Sequence, residues 1–473
     1  MSDIESSPPV GLFPDDEGRQ SESMLGIGSS PRHYCRISAA DNRDLFNPTT
    51  TNYKQDCFSC GFFSSLLRDD SFSIPSTMKP SLFLLLLPVA VLADVSYRRR
   101  NIVPWEPKNA TSVDQSVINH GTYYLSDRTN NVVHVVDIAS GTLTTDIKGF
   151  VGVNLVNGKP DNAVSGPNGL LVIPDRNELY VGDGDGTVKV VDLRNNTVVA
   201  SIHTGSVTRA DELAYDAKRQ LIAVTNPEET TAKIAIISVA DRKVLGNVTF
   251  PNATNGVEQP AWNTIDGYIY VSVPETTANP GGEIDVVDPE QFEIIKVLPE
   301  PECNSHGIVF GPNQQLLLGC SQDSILTYGT AHVAIMDIRT GNITSTINGV
   351  AGADQVVYDP TANLYYVSAY QNTANGTKQG MPDPILAIID AATGDLVQTI
   401  PTDNVTAHSV AVDPKTNTLV VPLANIGITI FDLIDSTNST GSPTGTDSSG
   451  APRTELLLLL YIAVATFTAI MNF

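Results

Sequence analysis

Residues 168 to 202 decide the fold, because four short apolar runs follow one another there with turn residues between them. The runs are Asn168-Gly-Leu-Leu-Val-Ile-Pro174, Glu178-Leu-Tyr-Val-Gly-Asp183, Thr187-Val-Lys-Val-Val-Asp192 and Thr197-Val-Val-Ala-Ser-Ile202. Each run is short and rich in β-branched residues, and residues such as Gly, Asp and Asn bound it, which is typical of β-strands. The segment therefore predicts a sheet of four antiparallel strands.

The same pattern recurs along the chain. Its third run is the easiest to follow, and it ends at residues Asp137, Asp192, Ser238, Asp288, Asp337, Asp390 and Asp432. The repeat length is about 42 to 55 residues, which is the length of one propeller blade. No segment between the runs is long enough for a crossover helix. We predict an all-β fold, a β-propeller of about seven four-stranded antiparallel blades over residues 94–435.

The two ends of the repeat region are incomplete. The first repeat lacks an obvious inner strand and the seventh lacks an outer one. We expect ring closure to combine strands from both ends of the region, with residues 95–118 supplying one of them, and this leaves the blade count open by one.

The motif Tyr180-Val-Gly-Asp183, followed by Gly186-Thr-Val-Lys-Val-Val-Asp192, resembles the YVTN type of propeller repeat. That superfamily also includes quinoprotein dehydrogenase-like and lactonase-like propellers. The resemblance covers about residues 120–435 and implies the fold. It does not imply one function, because such propellers include binders, surface-layer proteins and enzymes.

Both ends of the chain carry targeting patterns. Residues 1–77 have no hydrophobic periodicity and are expected to be disordered, and we interpret them as an extension of the gene model before a start at Met78. Residues 78–93 have the form of a signal peptide with cleavage after Ala93, and a type II membrane anchor is the alternative. Residues 436–455 form a Ser/Thr/Gly-rich stalk and spacer, and the apolar tail 456–473 completes a lipid-anchor (GPI) signal.

Ser448 is the predicted lipid attachment site, with a site near Gly445 as an alternative and a tail-anchored or single-span protein as the other interpretation. Together with the signal peptide, this pattern is similar to surface proteins of filamentous fungi. We expect a secreted glycoprotein on the extracellular face of the plasma membrane or in the cell wall. Eight glycosylation sequons, all after Ala93, support that address: Asn109, Asn195, Asn247, Asn252, Asn342, Asn375, Asn404 and Asn438.

The charge argues against one class of partner. The formal net charge is −24, and such an acidic surface repels nucleic acid, so we predict no nucleic-acid partner and no membrane contact beyond the lipid anchor. The predicted partner is a protein, a glycan or a small molecule at the propeller face.

Aligning the repeats predicts a polar ring at one mouth of the central channel, because the innermost strands of a propeller all run in the same direction. The starts of these strands and the ends of the second strands supply the predicted ligand-binding residues Asn168, Asp183, Asp211, Asn226, Glu258, His306, Asp354 and His408. Asp127 and Cys320 end two other second strands, and His120 is the expected first-repeat counterpart.

Cys303 and Cys320 fall at neighbouring strand ends in this alignment, so they are expected to form a disulfide, with two free buried thiols as the alternative. The side chains of Glu258, Asp211, Asp354 and His306 suit one divalent cation, calcium or zinc. Gluconolactonase-like propellers hold such an ion with similar residue types, although no motif carries catalytic roles over to this chain. A channel mouth that is polar only because water fills it is the other interpretation.

No GxSxG, HExxH or P-loop motif occurs. We therefore favour a non-enzymatic, surface-anchored binding protein that uses the channel mouth. The alternatives are a metal-dependent extracellular lactonase or hydrolase, and a structural component of the cell wall.

Overall fold

The computed structural model describes residues 95–435, and they form seven four-stranded antiparallel sheets with almost no helix. The innermost strand of each sheet contacts the innermost strand of the next, and the seventh contacts the first. The sheets therefore close into a ring, a seven-bladed β-propeller. This confirms the predicted fold class.

The first strand, β1, spans Val95–Val103 and belongs to the last blade. Blade 1 contains β2 (Val113–Asn119), β3 (Thr122–Asp127), β4 (Val132–Asp137) and β5 (Thr142–Lys148). A small hairpin, β6 (Leu155–Val156) and β7 (Lys159–Pro160), precedes blade 2, which contains β8 (Leu170–Ile173), β9 (Glu178–Gly182), β10 (Thr187–Asp192) and β11 (Thr197–His203).

The next three blades follow in order along the chain. Blade 3 contains β12 (Leu213–Asp216), β13 (Leu221–Asn226), β14 (Lys233–Ser238) and β15 (Lys243–Thr249). Blade 4 contains β16 (Pro260–Trp262), β17 (Ile269–Val273), β18 (Glu283–Asp288) and β19 (Glu293–Pro299). Blade 5 contains β20 (Ser305–Phe310), β21 (Gln315–Cys320), β22 (His332–Asp337) and β23 (Asn342–Asn348).

Blade 6 contains β24 (Val356–Asp359), β25 (Leu364–Ala369), β26 (Ile385–Asp390) and β27 (Leu396–Pro401). Blade 7 contains β28 (Ala411–Asp413), β29 (Thr418–Leu423) and β30 (Gly427–Asp435), with β1 as its outer strand. One α-helix, α1 (Gln322–Tyr328), lies between β21 and β22, and the 3₁₀ turns are Asn162–Val164, Pro174–Arg176, Pro312–Gln314 and Ala374–Gly376.

The ring closes through β1. This strand pairs with β30 from Val95 opposite Asp435 to Val103 opposite Ile428, so the N-terminal end of the repeat region completes the last blade. Side-chain contacts also fasten this segment. Among them, the Tyr97 and Tyr366 hydroxyls lie 2.7 Å apart, and Trp105 Nε1, just after β1, donates to the Leu423 carbonyl at 2.9 Å. The inner strand of blade 1 is β2. The expectation that both ends contribute to closure is confirmed.

The hydrophobic core is divided among the seven interfaces between blades. Each interface holds one buried cluster, such as the one between blades 3 and 4 that contains Ile234, Val248 and Val271. Every blade therefore buries both faces only because it has a neighbour on each side. None of the helices within residues 95–435 is long and apolar enough to cross a membrane.

Helix α1 was not foreseen from the repeat pattern. Ser321 caps its first turn, because its side chain accepts a hydrogen bond from the Asp323 amide at 3.2 Å, and Gly329 ends it in the left-handed region at φ 82°. The helix is an insertion into blade 5 that leaves the four-strand pattern unchanged.

Cys303 and Cys320 form the expected disulfide, with their Cα atoms 4.5 Å apart. Cys303 lies just before β20 and Cys320 ends β21. The bond therefore joins the two innermost strands of blade 5 beside the channel.

Replacing both Cys303 and Cys320 by alanine should lower the free energy of unfolding. The two residues are 17 positions apart, and the loop-entropy relation gives a loss of about 3 kcal/mol for a loop of this size. Chemical denaturation of the variant and the parent checks this. An unchanged midpoint would show that the disulfide does not constrain the unfolded chain.

Candidate functional site

A cavity of about 300 Å³ opens at one mouth of the channel. Its wall is built by loops that lead into the innermost strands and by loops that leave the second strands, as the alignment of the repeats predicted. The lining residues are Thr111, Ser112, Val113, Asp114, Arg128, Asn162, Arg209, Asp211, Glu212, Glu258, His306, Asp354, Tyr370, Val405 and His408.

Five of the eight residues predicted from the repeats line this cavity: Asp211, Glu258, His306, Asp354 and His408. Asn168, Asp183 and Asn226 do not line it. All three are buried behind the wall. Their polar groups are used to hold neighbouring segments, because a buried amide or carboxylate needs partners.

The two asparagines position the arginines of the cavity. Asn168 Oδ1 accepts a hydrogen bond from Arg128 Nε at 2.8 Å, and Asn168 Nδ2 donates to the Ala210 carbonyl at 2.9 Å. Asn226 Nδ2 donates to the carbonyl of Arg209 at 2.9 Å. Asn168 and Asn226 therefore do not face the cavity but hold in place the arginines that do.

Asp183 supports the loop between blades 1 and 2. It accepts hydrogen bonds from the amides of Gly184 at 2.9 Å and Val151 at 3.3 Å, and its Oδ2 lies 3.5 Å from Lys189 Nζ. Burial and the neighbouring Asp185 raise the pKa of Asp183 to about 6.

His120 is not the first-repeat counterpart. It lies in the tight turn between β2 and β3 with φ 47°, which is the other end of β2 from the mouth. Asp114, at the start of β2, lines the cavity instead. The error arose because the inner strand of blade 1 begins earlier in the sequence than its weak apolar pattern suggests.

Two arginines in the cavity were missed by sequence reasoning. Arg128 is 5% exposed and forms an ion pair with Asp114. Burial and the nearby charge of Arg209 lower the pKa of Arg128 to about 10. Each arginine occurs in one blade only, so the repeat alignment gave no signal. A usable signal was their place in the sequence, because Arg128 follows Asp127 and Arg209 lies two residues before Asp211, and the alignment had selected both acids.

Arg209 is placed among carboxylates. Its Nε lies 2.8 Å from Asp211 Oδ2, and its terminal nitrogen lies 3.5 Å from Glu228. Burial lowers the pKa of Arg209, but the charges of Asp211 and Glu258 outweigh burial and leave it raised. The guanidinium therefore stays charged and balances part of the acidic wall.

Glu212 and Glu258 are the two acids of the cavity whose protons are held most strongly. Glu212 is 5% exposed, accepts a hydrogen bond from Gln115 and has a buried second oxygen, Oε2, without a partner. Burial and repulsion from Glu258 raise the pKa of Glu212 well above its usual value. Burial raises the pKa of Glu258 to about 7, although His306 opposes the rise.

The opposite wall carries a histidine and carboxylate pair. His408 Nδ1 lies 3.1 Å from Asp354 Oδ2, and the rings of His408 and Tyr370 lie 5.1 Å apart between centroids. Burial raises the pKa of Asp354, but the hydrogen bond from His408 and the charges around it leave the pKa lowered. His306 Nε2 is buried without a hydrogen-bond partner.

The predicted cation site remains a prediction. Within residues 95–435, no three His, Cys, Asp or Glu side chains are arranged to hold one metal ion. Of the four predicted ligands, Asp211 lies against Arg209 and Asp354 against His408. A divalent ion bound by Glu258, Asp211, Asp354 and His306 would share these two acids with the partners that already hold one oxygen of each.

The stability of the protein should fall as pH rises from about 5 to about 8. Burial raises the pKa of Glu258 to about 7 and that of Glu300 to about 8. An unfolded chain releases these protons near pH 4.5, so the folded state binds more protons between the two values and its stability declines as pH rises through them. Calorimetry should show a melting temperature several degrees lower at about pH 8 than at about pH 5.

The Glu258→Gln variant is the control for this trend, because glutamine does not titrate. Its melting temperature should decline less over the same pH range. A melting temperature that rises toward pH 8 in the parent would contradict the raised pKa of these acids.

Comparison with known proteins supports the fold. No family model and no curated protein matches the chain. A solved structure titled Kuenenia stuttgartiensis Hydrazine Synthase is similar with 13% identity and a TM-score of 0.54, covering 69% of this chain and 97% of that chain. One titled Crystal Structure of Mitotic Checkpoint Complex has 13% identity and a TM-score of 0.51, covering 78% and 99%. At this identity the likeness shows the β-propeller fold alone.

Proposed function

We propose that this chain is a secreted, surface-anchored binding protein that holds a small hydroxyl-rich ligand, such as one sugar unit of a glycan, at the channel mouth. The observation that carries the proposal is the polar cavity of about 300 Å³ between the ends of the inner strands. This volume lies at the lower end of the range for small-molecule sites.

The chemistry of the wall favours hydroxyl groups. Arg128 and Arg209 already face carboxylates. Among the buried polar atoms of the wall, Glu212 Oε2 and His306 Nε2 have no hydrogen-bond partner. A hydroxyl can donate to a carboxylate and also accept from an imidazole N–H or a guanidinium, so it can satisfy either kind of group. The ring of Tyr370 adds an apolar surface on which a sugar could lie.

The sequons support the proposed location outside the cell. Seven of the eight, all except Asn438, lie in the described residues, and all seven asparagines are exposed: Asn109, Asn195, Asn247, Asn252, Asn342, Asn375 and Asn404. Exposure is what an attached glycan requires. The signal peptide 78–93, the stalk 436–455, the tail 456–473, Ser448 and Asn438 lie outside the described residues, as does the segment 1–77.

A protein partner is the broader form of the same proposal. The β-propeller scaffold is compatible with partner binding, and one structurally similar protein comes from the mitotic checkpoint complex. Loops at the rim of the mouth would then make the contact, with the cavity receiving one side chain of the partner.

Binding of neutral mono- and disaccharides to the full-length protein tests the proposal. Saturation-transfer NMR should show contact with at least one sugar, and the Glu258→Ala variant should lose it because the hydrogen-bonding oxygens of this side chain are removed from the cavity. Asp175→Ala is the matched control, since Asp175 is an exposed acid in the turn after β8, at the other end of the blades. Sugar signals that survive Glu258→Ala, or no sugar signal at all, would contradict the proposal.

A hydrolase is the second candidate, and the raised pKa of Glu258 favours it. A carboxylic acid with a pKa of about 7 can donate a proton near neutral pH, which is the property of a general acid. Elemental analysis of the purified protein and a screen of lactones and esters test this candidate. About one equivalent of a divalent ion, lost together with activity in Glu258→Ala and Asp354→Ala, would place the hydrolase above the binding protein.

A further inference from the structure

A second cavity, of about 440 Å³, lies at the outer edge of the ring between blades 3 and 4. Its walls come from β15 and the loop that follows it, from the end of β17 and from β18 and β19. It shares no lining residue with the mouth cavity. What it binds is therefore a separate question from the proposed function.

A buried carboxylate without a partner faces this cavity. Asp285, on β18, is 4% exposed, and its Oδ1 has no hydrogen-bond partner. Glu283, two residues earlier on the same face of the strand, is 6% exposed, but it accepts hydrogen bonds from Thr276 Oγ1 at 3.1 Å and from Asn279 Nδ2. Leaving a buried carboxylate unpaired is costly, and an organic cation would remove that cost.

The residue at the strand position of Asp285 can be compared among the blades, because each blade has an equivalent third strand. In blades 3, 5 and 6 it is an alanine that packs in the core: Ala235, Ala334 and Ala387. In blade 7 it is Thr429. These four blades therefore place no charge at this position.

Blades 1 and 2 carry a basic residue at this position and pair it twice. His134 lies 2.9 Å from Asp127 and 2.7 Å from Asp146. Lys189 lies 2.7 Å from Asp185 and 3.5 Å from Asp183. Wherever another blade has an ionisable group here, opposite charges surround it. Asp285 has instead a second acid, Glu283, as its neighbour.

The rest of the cavity wall has an apolar and a polar part. The apolar part includes Phe250, Phe292 and Ile294, and also Val297, which is 44% exposed at the rim. The polar part is Asn247, Thr249, Asn252 and Thr276, of which Asn247 and Asn252 are exposed sequon asparagines. The ionisable residues of the wall are Glu283, Asp285 and Glu293, so all of its titratable groups are acids. An apolar body with one positive charge is the complementary ligand.

We propose that the cavity between blades 3 and 4 binds a small organic ammonium cation, with the ammonium group donating to Asp285 and an aryl or alkyl body lying between Phe250 and Phe292. His134 and Lys189 are paired with acids of their own blades. Asp285 would instead receive its opposite charge from the bound ammonium group. Hydrophobic contact of the ligand body with the aromatic walls adds to the affinity.

Binding should strengthen as pH rises. Burial and the charge of Glu283 raise the pKa of Asp285 to about 7, so the carboxylate that pairs with an ammonium group forms only near neutral pH and above. Glu283 and Glu293 are the other titratable groups of the wall, and both are acids.

Calorimetric titration of the full-length protein with 2-phenylethylamine at about pH 8 tests the proposal, and 2-phenylethanol is the uncharged probe of the same shape. The amine should bind about tenfold more tightly than the alcohol, or better. In Asp285→Ala this preference should disappear, while weak binding of the alcohol remains because the apolar walls are intact.

Asp285→Ala should fold, since blades 3, 5 and 6 carry alanine at the same position. Glu293→Gln is the matched control, because Glu293 is an exposed acid of the same wall and should change amine binding less than about threefold. Equal affinity of the amine for parent and Asp285→Ala, or no heat of binding at about 10 mM amine, would overturn the proposal.

Discussion

The pairing of β1 with β30 is the constraint on which the rest of the structure depends. A blade has two apolar faces and no core of its own, so each is stable only between two neighbours. Without β1, the outer edge of blade 7 would be open and its cluster with blade 6 would lose Tyr97. Closure gives every blade a neighbour on both sides and so completes all seven interfaces. It also fixes the distance between the loops that surround the channel mouth.

That fixed geometry explains the character of the mouth. The inner strands bring acids from several blades to one place, where burial and mutual repulsion raise the pKa of Glu212 and Glu258. Arg128 and Arg209 provide the opposite charge from single blades. The outcome is a polar cavity with a few unpartnered polar atoms, and the proposed recognition of a small polar ligand rests on these groups.

The sequence alone predicted the features that recur in every blade, but it did not predict the features that occur in one blade only. Strand periodicity predicted the ring, its two-ended closure and the proximity of Cys303 to Cys320, because each follows from aligning equivalent positions. It could not reveal Arg128, Arg209 or helix α1, which occur once. Nor could it show which polar side chains turn away from the channel, as Asn168, Asp183 and Asn226 do, since that depends on their hydrogen-bond partners. A single-residue bulge in the outer strand pair of every blade was also hidden, because it changes neither the length nor the polarity of the repeat.

Hydrogen exchange of the backbone amides in β1 tests the central claim most directly. If β1 closes the ring, its amides that bond to β30 should be protected as strongly as those of the middle strands of blades 2 to 6, because exposing them requires opening the whole ring. Mass spectrometry of peptides covering residues 95–103 and 427–435 measures this. Rapid exchange in both segments, with the other blades protected, would show that the ring is not closed by β1 and would remove the basis for a fixed mouth cavity.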